Sequence, residues 1–351
     1  MYKTSLLATG GFNEKCGILG VGTKQFTLSL EEFKDALHLL NYMEIERTET
    51  EIKKFELKHN IKKNTFQKLL DGNLILESSL VKSKKDTLDF KNYLYLLSID
   101  VDAKLVLNNL KNTIVIIIGC GGIGNFLSYS LATFTPEKMI LIDGDKIENS
   151  NLNRQLLFTT KDIGYSKADI LKKQIQLRNP LLDVTSYDRY VTEDLLEKSI
   201  KLTDNKRYLV ILSGDSITAL EETTKYCVKN KIPFLNVGYL NDISVIGPFY
   251  VPRISSCPYC NNTLSLEKHE KDSMQNELLN INNKYEAPSS FTNNALASSL
   301  AMSDIIQFEA EKLDKVKSLN KRFGIDNVTF KNYTLEVPKD KDCSFCSEEN
   351  K

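Results

Sequence analysis

The sequence predicts an α/β protein whose core is a doubly wound, mostly parallel sheet, and three observations predict it. The run Thr113–Ile118 (TIVIII) is apolar apart from its first residue and ends in glycines, as a strand buried on both faces of a parallel sheet does. Strand and helix patterns then alternate as far as Val237, the order that gives a sheet covered by helices on both sides. Length agrees: at about 150 residues per domain, 351 residues make two domains, or one large domain with an appendage.

From the amino terminus, residues 29–42 (SLEEFKDALHLLNY) put Phe33, Ala36, Leu37 and Leu40 on one helical face, with Glu31 and Glu32 in the first turn, so a helix is expected. Helical stretches follow at 49–59 and 64–70, and Asp71-Gly72 turns the chain into a strand and short hairpin at 73–77. Helices plus a hairpin predict a winged-helix-like module over residues 1–90, ended by the aperiodic, charged linker 82–89. Residues 91–351 make the second domain. After strand Thr113–Ile118 the pattern predicts helix 124–134, strand 138–143, helix 166–178, strands 183–187 and 208–213, helix 217–230 and strand 234–237. Beyond lie a strand-like 243–251, a polar stretch 267–286, a helix 294–308 and an alternating tail 328–337.

Apolar and charged fractions of 41% and 26% exclude disorder as the main state. Lys plus Arg (46) balance Asp plus Glu (46), so no net field draws nucleic acid or an anionic membrane. Neither is expected as a partner, and a phosphate ligand has to be held by a local site. Residues 1–11 lack the apolar core of a secretion signal, and no run reaches the roughly 18 apolar residues that cross a bilayer. A cytoplasmic protein is expected.

Between the first strand and helix of the sheet lies Gly119-Cys-Gly121-Gly122-Ile-Gly124. Backbone N–H groups and a helix N-terminus there can face a phosphate, provided that no Cβ blocks the approach. Asp143 ends the next strand, 19 residues after Gly124, where Rossmann-like nucleotide sites set a carboxylate against a ribose. By themselves these residues also suit tight strand-on-helix packing, or a nicotinamide or flavin.

Asn151-Leu-Asn-Arg154-Gln155 and Lys167 narrow the choice. Lys167 opens a helix that Ser166 and Asp169 can cap, and an ammonium there opposes the macrodipole unless an anion lies close. A nucleoside triphosphate brings phosphates that must be neutralised during displacement, whereas a dinucleotide needs no such cations. The competing reading is that Arg154 and Lys167 are ordinary surface charges. Asp215 follows strand 208–213 at the carboxyl edge, where open α/β sheets bind ligands. It suits Mg2+ shared with phosphates or the N-cap of the next helix, about equally on position alone.

Of seven cysteines, four form matched Cys-x-x-Cys pairs, Cys257/Cys260 and Cys343/Cys346. In a reducing compartment such pairs close a tetrahedron around a structural Zn2+; a redox pair is the alternative. The site would tie the C-terminal tail to the segment after the sheet. Cys120 and Cys227 read as small packed residues, and His38, His59 and His269 show no partner pattern.

Taken together, GCGGIGN, LIDGDKIENSNLNRQLLF, DIGYSKADIL, Asp215 and the paired cysteines resemble the ubiquitin-activating-like (ThiF-type) adenylating enzymes, the family of the thiamine and molybdopterin sulfur-carrier activators. The resemblance covers residues 105–350. It implies an adenylyltransferase that releases pyrophosphate from ATP, with Gly119, Gly121, Gly122 and Gly124 in the phosphate loop and Asp143 at the ribose. It also implies Asp145, Asn151, Arg154, Gln155 and Lys167 around ATP, Asp215 on Mg2+, and Arg154, Lys167 and Asp215 as the catalytic set.

Within that family the likeness runs to the microcin C-type peptide-adenylating branch. It rests on the N-terminal module, Tyr226-Cys-Val, Asn236-Val-Gly-Tyr239 with Asn241-Asp242-Ile, Gly247-Pro-Phe-Tyr-Val-Pro252, Asn293-Asn294 and Leu319-Asn-Lys-Arg-Phe-Gly-Ile325. This implies a homodimer that joins AMP to the C-terminus of a short ribosomal peptide ending in Asn, through a succinimide and a second ATP to a phosphorus–nitrogen bond. No cysteine lies between Cys260 and Cys343, where relatives that pass on a thioester or persulfide often keep one; Cys227 is the fallback nucleophile. Two other functions stay open: activation of a ubiquitin-like carrier ending in Gly-Gly, and a non-catalytic scaffold presenting a leader peptide. The first module is expected to bind peptide by strand addition along residues 74–77, or else to serve dimer contact alone.

Overall fold

The computed structural model describes residues 1–81, 86–214, 216–263, 277–278, 281–282 and 284–347. They fall into two compact units, Met1–Leu107 and Asn108–Lys351.

The first unit runs through β1 (Tyr2–Thr4), β2 (Gly10–Phe12), β3 (Gly17–Leu19), β4 (Phe26–Leu28), α1 (Leu30–Tyr42), α2 (Glu49–Lys58), α3 (Thr65–Asp71), β5 (Ile75–Glu77) and α4 (Phe90–Ser98); α5 (Ala103–Lys111) starts at its end. Its first two helices begin where the residue types dictate. Ser29 and Thr48 accept from the backbone N–H three residues on, and Glu32 and Glu51 reach back to the cap N–H, which satisfies two orphan donors at each start. Leu19, Phe33, Ala36, Leu39, Met43, Ile52, Leu69 and Ile75 form the core.

Three features of this unit differ from the sequence expectation. Strand β5 is not half of a local hairpin, because it pairs antiparallel with β1, Tyr2 opposite Glu77. Strands β2, β3 and β4 form an antiparallel sheet in a segment where the sequence pattern showed none, since three-residue strands are too short to display alternation. Helix α4 falls in the first unit rather than at the head of the second, so the division lies after Leu107 instead of residue 90. Bonds back to the module hold α4 there: the Tyr93 hydroxyl donates to Leu80 O, and Asn73 Nδ2 to Leu97 O at 2.9 Å.

The second unit carries β6 (Thr113–Ile118), α6 (Gly122–Ala132), β7 (Lys138–Ile142), α7 (Lys167–Arg178), β8 (Asp183–Tyr187), α8 (Glu193–Ser199), β9 (Arg207–Leu212), α9 (Ile217–Lys229), β10 (Phe234–Leu240), β11 (Ile243–Tyr250), α10 (Phe291–Glu309), β12 (Lys321–Asp326) and β13 (Asn332–Glu336). Its eight strands lie in the order β13-β12-β11-β10-β9-β6-β7-β8. From β10 to β8 neighbours are parallel, and β11, β12 and β13 add antiparallel. Mixed α/β architecture with a mostly parallel sheet is therefore as expected. The chain builds β6, β7 and β8 to one side and then returns to lay β9 against the other flank of β6. That reversal makes a crevice at the carboxyl ends of β6 and β9, where open α/β sheets bind ligands. Val115 to Ile117 and Leu209 to Leu212 are fully buried, which explains why those strands read as unbroken apolar runs. Most of the polar stretch 267–286, and His269 with it, lies outside the described residues.

Candidate active site and metal centre

The turn from β6 into α6 is built around backbone approach. Gly119 takes a left-handed φ of +91°, and a Cβ on it would sit 2.9 Å from Gly214 N. Helix α6 begins at Gly122, two residues earlier than the sequence pattern suggested, so the glycine run itself supplies its first turn. A Cβ at Gly124 would collide with the Gly119 carbonyl, and one at Gly122 would lie 2.7 Å from Asn294 Cγ and 3.3 Å from Arg154 Cγ. At Gly121, however, the nearest atom is Gln155 Nε2 at 3.7 Å. The cap Gly121 brings no side chain to the first-turn N–H groups, so they keep their capacity to bind an anion.

Asp143 follows β7 and faces this loop. Its Oδ2 accepts from Cys120 N at 2.6 Å and its Oδ1 from Asp145 N at 2.8 Å. Burial pushes its carboxyl above the ordinary 3.8, although those two bonds and the Lys167 charge pull the other way. Lys167, 8% exposed, donates from Nζ to Asp145 Oδ2 at 2.8 Å. Tyr190 OH donates to Asp145 Oδ1, also at 2.8 Å. Burial pushes Asp145 up, but the bonds from Lys167 and Tyr190 and the Lys167 charge outweigh it and hold the carboxyl below its ordinary value. Ser166 caps α7 as expected by accepting from Asp169 N, whereas the Asp169 carboxylate turns to Ser186 Oγ at 2.6 Å.

The next loop brings the remaining residues. Asn151 is buried, and its Oδ1 accepts from Glu148 N at 3.1 Å. Gln155 is buried against Gly121, and its Oε1 has no hydrogen-bond partner among the described residues. Arg154 lies over Gly122, where its Nη1 donates to Ser150 O at 3.0 Å and Asn153 Oδ1 at 2.7 Å. No carboxylate pairs with it among the described residues. One crevice thus gathers Gly119, Gly121, Gly122, Gly124, Asp143, Asp145, Asn151, Arg154, Gln155 and Lys167. Asp215 lies outside the described residues.

Four further residues, assigned no role from the sequence, complete the site. Asn125, 1% exposed, stitches two loops: its Nδ2 donates to Cys120 O at 2.9 Å and its Oδ1 accepts from Leu157 N at 2.8 Å. Ser213 Oγ fixes the turn by donating to Gly119 O at 2.7 Å. Asn294 covers Gly122, and Tyr190 lies on Gly144, where a Cβ would come 2.8 Å from its Cγ. Asn125 and Asn294 stand inside segments quoted for the resemblance, GCGGIGN and Asn293-Asn294; Ser213 and Tyr190 left no local signal. Cys120 and Cys227 are buried, and burial holds both thiols well above their usual range, which fits packed residues rather than nucleophiles.

Cys257, Cys260, Cys343 and Cys346 converge with all four Sγ atoms within 4.8 Å of one another. Neighbouring Sγ atoms are 3.4, 3.6 and 4.0 Å apart. Disulfide bonds would need about 2.05 Å, whereas a tetrahedron with Zn–S of about 2.3 Å has edges of about 3.8 Å. The donor set therefore fits Zn2+. Rings of Tyr259 and Phe345, one from each knuckle, stack at 4.1 Å, and Val337 buries the tail beside them.

Comparisons with known proteins follow the same lines. A model of the ThiF family matches residues 95–345. The tRNA threonylcarbamoyladenosine dehydratase of Bacillus subtilis (strain 168) is 32% identical over 130 residues, 37% of this chain and 50% of that protein. The sulfur carrier protein ThiS adenylyltransferase of Escherichia coli (strain K12) is 27% identical over 177 residues, 50% of this chain and 69% of that protein. Among solved structures, E. coli MccB with ATP gives a TM-score of 0.82 at 28% identity over 99% of both chains. The Microcin C7 biosynthetic enzyme MccB in complex with N-formylated MccA gives 0.83 at 28% identity, again over 99% of both. The chain thus spans half the length of the first of these curated relatives and nearly all of MccB. No helix among the described residues is long and apolar enough to cross a membrane.

Proposed function

The chain belongs to the ThiF family, and on that premise we propose that this ATP-using adenylyltransferase joins AMP to the C-terminal carboxylate of a short peptide. One observation carries the choice of acceptor. The likeness to MccB, solved in complex with N-formylated MccA, extends over 99% of this chain and so takes in the unit Met1–Leu107, most of which lies ahead of the family match at residues 95–345.

The chemistry asks little beyond position and charge. A peptide carboxylate is already ionised at neutral pH; its oxygen attacks the α-phosphorus, the new O–P bond forms, and the bond to pyrophosphate breaks. The uncapped N-terminus of α6 receives phosphate oxygens, Arg154 and Lys167 offset the charge of the leaving pyrophosphate, and Asp143 meets the ribose. The same reading puts Mg2+ on Asp215, structural Zn2+ on the four cysteines, and a cytoplasmic homodimer around the site. With an Asn-ended peptide, the side-chain amide nitrogen displaces AMP from the activated carbonyl and closes a succinimide; the succinimide nitrogen, losing its proton, then attacks the α-phosphorus of a second ATP and expels pyrophosphate, as in peptide-nucleotide antibiotic biosynthesis.

In the first unit a cavity of about 340 Å3 runs along β4, lined by Phe26, Leu28, Lys68 and Gly72 among others. Among the described residues no strand pairs with the outer edge of β4, so it offers strand addition. Residues 74–77 also keep one edge of β5 unpaired among the described residues, opposite its pairing with β1, but Leu74, Ile75 and Leu76 are all buried there. The test is ATP–pyrophosphate exchange with a short Asn-ended peptide, followed by mass spectrometry for an AMP adduct. Exchange that responds to a Gly-Gly-ended carrier protein and ignores peptides would replace this reading with the carrier activator. Peptide binding without ATP consumption would leave a scaffold.

A further inference from the structure

Tyr190 is 73% exposed, yet it is held at both ends. Its ring rests on Gly144, where any Cβ would come within 2.8 Å of its Cγ; Gly144 is a glycine because Tyr190 lies there. Its hydroxyl donates to Asp145 Oδ1 at 2.8 Å. The other oxygen of the same carboxylate takes Lys167 Nζ at 2.8 Å, and Lys167 N donates to Asp145 O at 3.1 Å. We propose that Tyr190 is a positioning residue for ATP: it occupies one oxygen of Asp145 so that Lys167 is offered only the other.

The argument is one of donors and acceptors. A lysine ammonium has three N–H donors on a flexible stem. A carboxylate free to swivel can engage two of them, which leaves less for a phosphate. With Oδ1 taken by the Tyr190 hydroxyl, Lys167 bonds Oδ2 with one N–H and keeps the others for phosphate oxygens, while its buried stem holds the ammonium in place. Donation from Tyr190 also draws charge from the carboxylate and weakens its hold on Lys167. The proposal rests on the reading of Lys167 as a phosphate ligand.

The test is a double-mutant cycle read by calorimetric titration of the full chain with Mg·ATP and no acceptor. Tyr190→Phe keeps the ring on Gly144 and removes only the hydroxyl. It is expected to weaken ATP binding about tenfold, near the low end for a hydrogen bond to a charged group, and to leave the melting temperature unchanged. In a Lys167→Ala background, Tyr190→Phe is expected to change nothing further. Parental affinity in Tyr190→Phe, or an equal loss with and without Lys167, overturns the proposal. Parental affinity in Lys167→Ala instead overturns the reading beneath it, so the two failures are told apart.

Discussion

Replacing Gly121 by Ala separates what the fold needs from what the ligand needs. Gly121 has an extended backbone with negative φ, −70°, and ψ −152°, and an added Cβ meets nothing nearer than Gln155 Nε2 at 3.7 Å. Packing therefore tolerates the methyl. Loss of a glycine N-cap is worth about 0.5–1 kcal/mol, or about 1–4 °C in melting temperature for a unit of this size. A phosphate lying against the loop would meet that methyl, however, and overpacking of this kind costs about 1–3 kcal/mol, which is about 5- to 150-fold in affinity. Gly124→Ala is the control, because its methyl strikes the Gly119 carbonyl and lies 3.2 Å from Ser213 Oγ; the fold itself should suffer. Titration of each variant with Mg·ATP, beside its thermal melt, gives the comparison. A Gly121→Ala protein that melts normally and binds ATP as tightly as the parent would refute the placement of phosphate at the glycine loop.

Other outcomes follow from the same geometry. Arg154→Ala and Lys167→Ala should each lower pyrophosphate exchange about a hundredfold, the scale of one charge-stabilising donor; turnover unchanged in both would remove them from the site. Cys343→Ser should release zinc and lower the melting temperature, since a structural metal site contributes folding free energy, and elemental analysis showing one retained zinc per chain would contradict the four-thiolate centre. Asp304 accepts from Lys317 N, Ser318 N and Ser318 Oγ, but burial still raises its carboxyl above 3.8. The folded chain therefore holds this proton more readily than the unfolded one, and the contribution grows as pH falls through that window and is lost as pH rises through the folded value. Melts from pH 7 to 4 should show the parent's advantage over Asp304→Asn widening; a constant or shrinking gap would refute the sign.

Much of this protein is written locally. Ser29 with Glu32 and Thr48 with Glu51 fix helix starts because cap and donor lie three residues apart. The apolar run into Gly119 marks a buried strand because every position of β6 meets a neighbour on one face or the other. Both Cys-x-x-Cys pairs announce their chemistry because each knuckle is short. These signals depend on residues close in the chain, and a single sequence carries them whole.

Only the tertiary structure decided which distant segments meet. It closed β5 on β1 across more than seventy residues and laid β9 against β6 to open the crevice. It also set Asn294 over Gly122 and Tyr190 on Gly144. The physical reason is the same throughout: a contact between remote residues is chosen by the packing of whole elements, which leaves no period and no spacing at either partner.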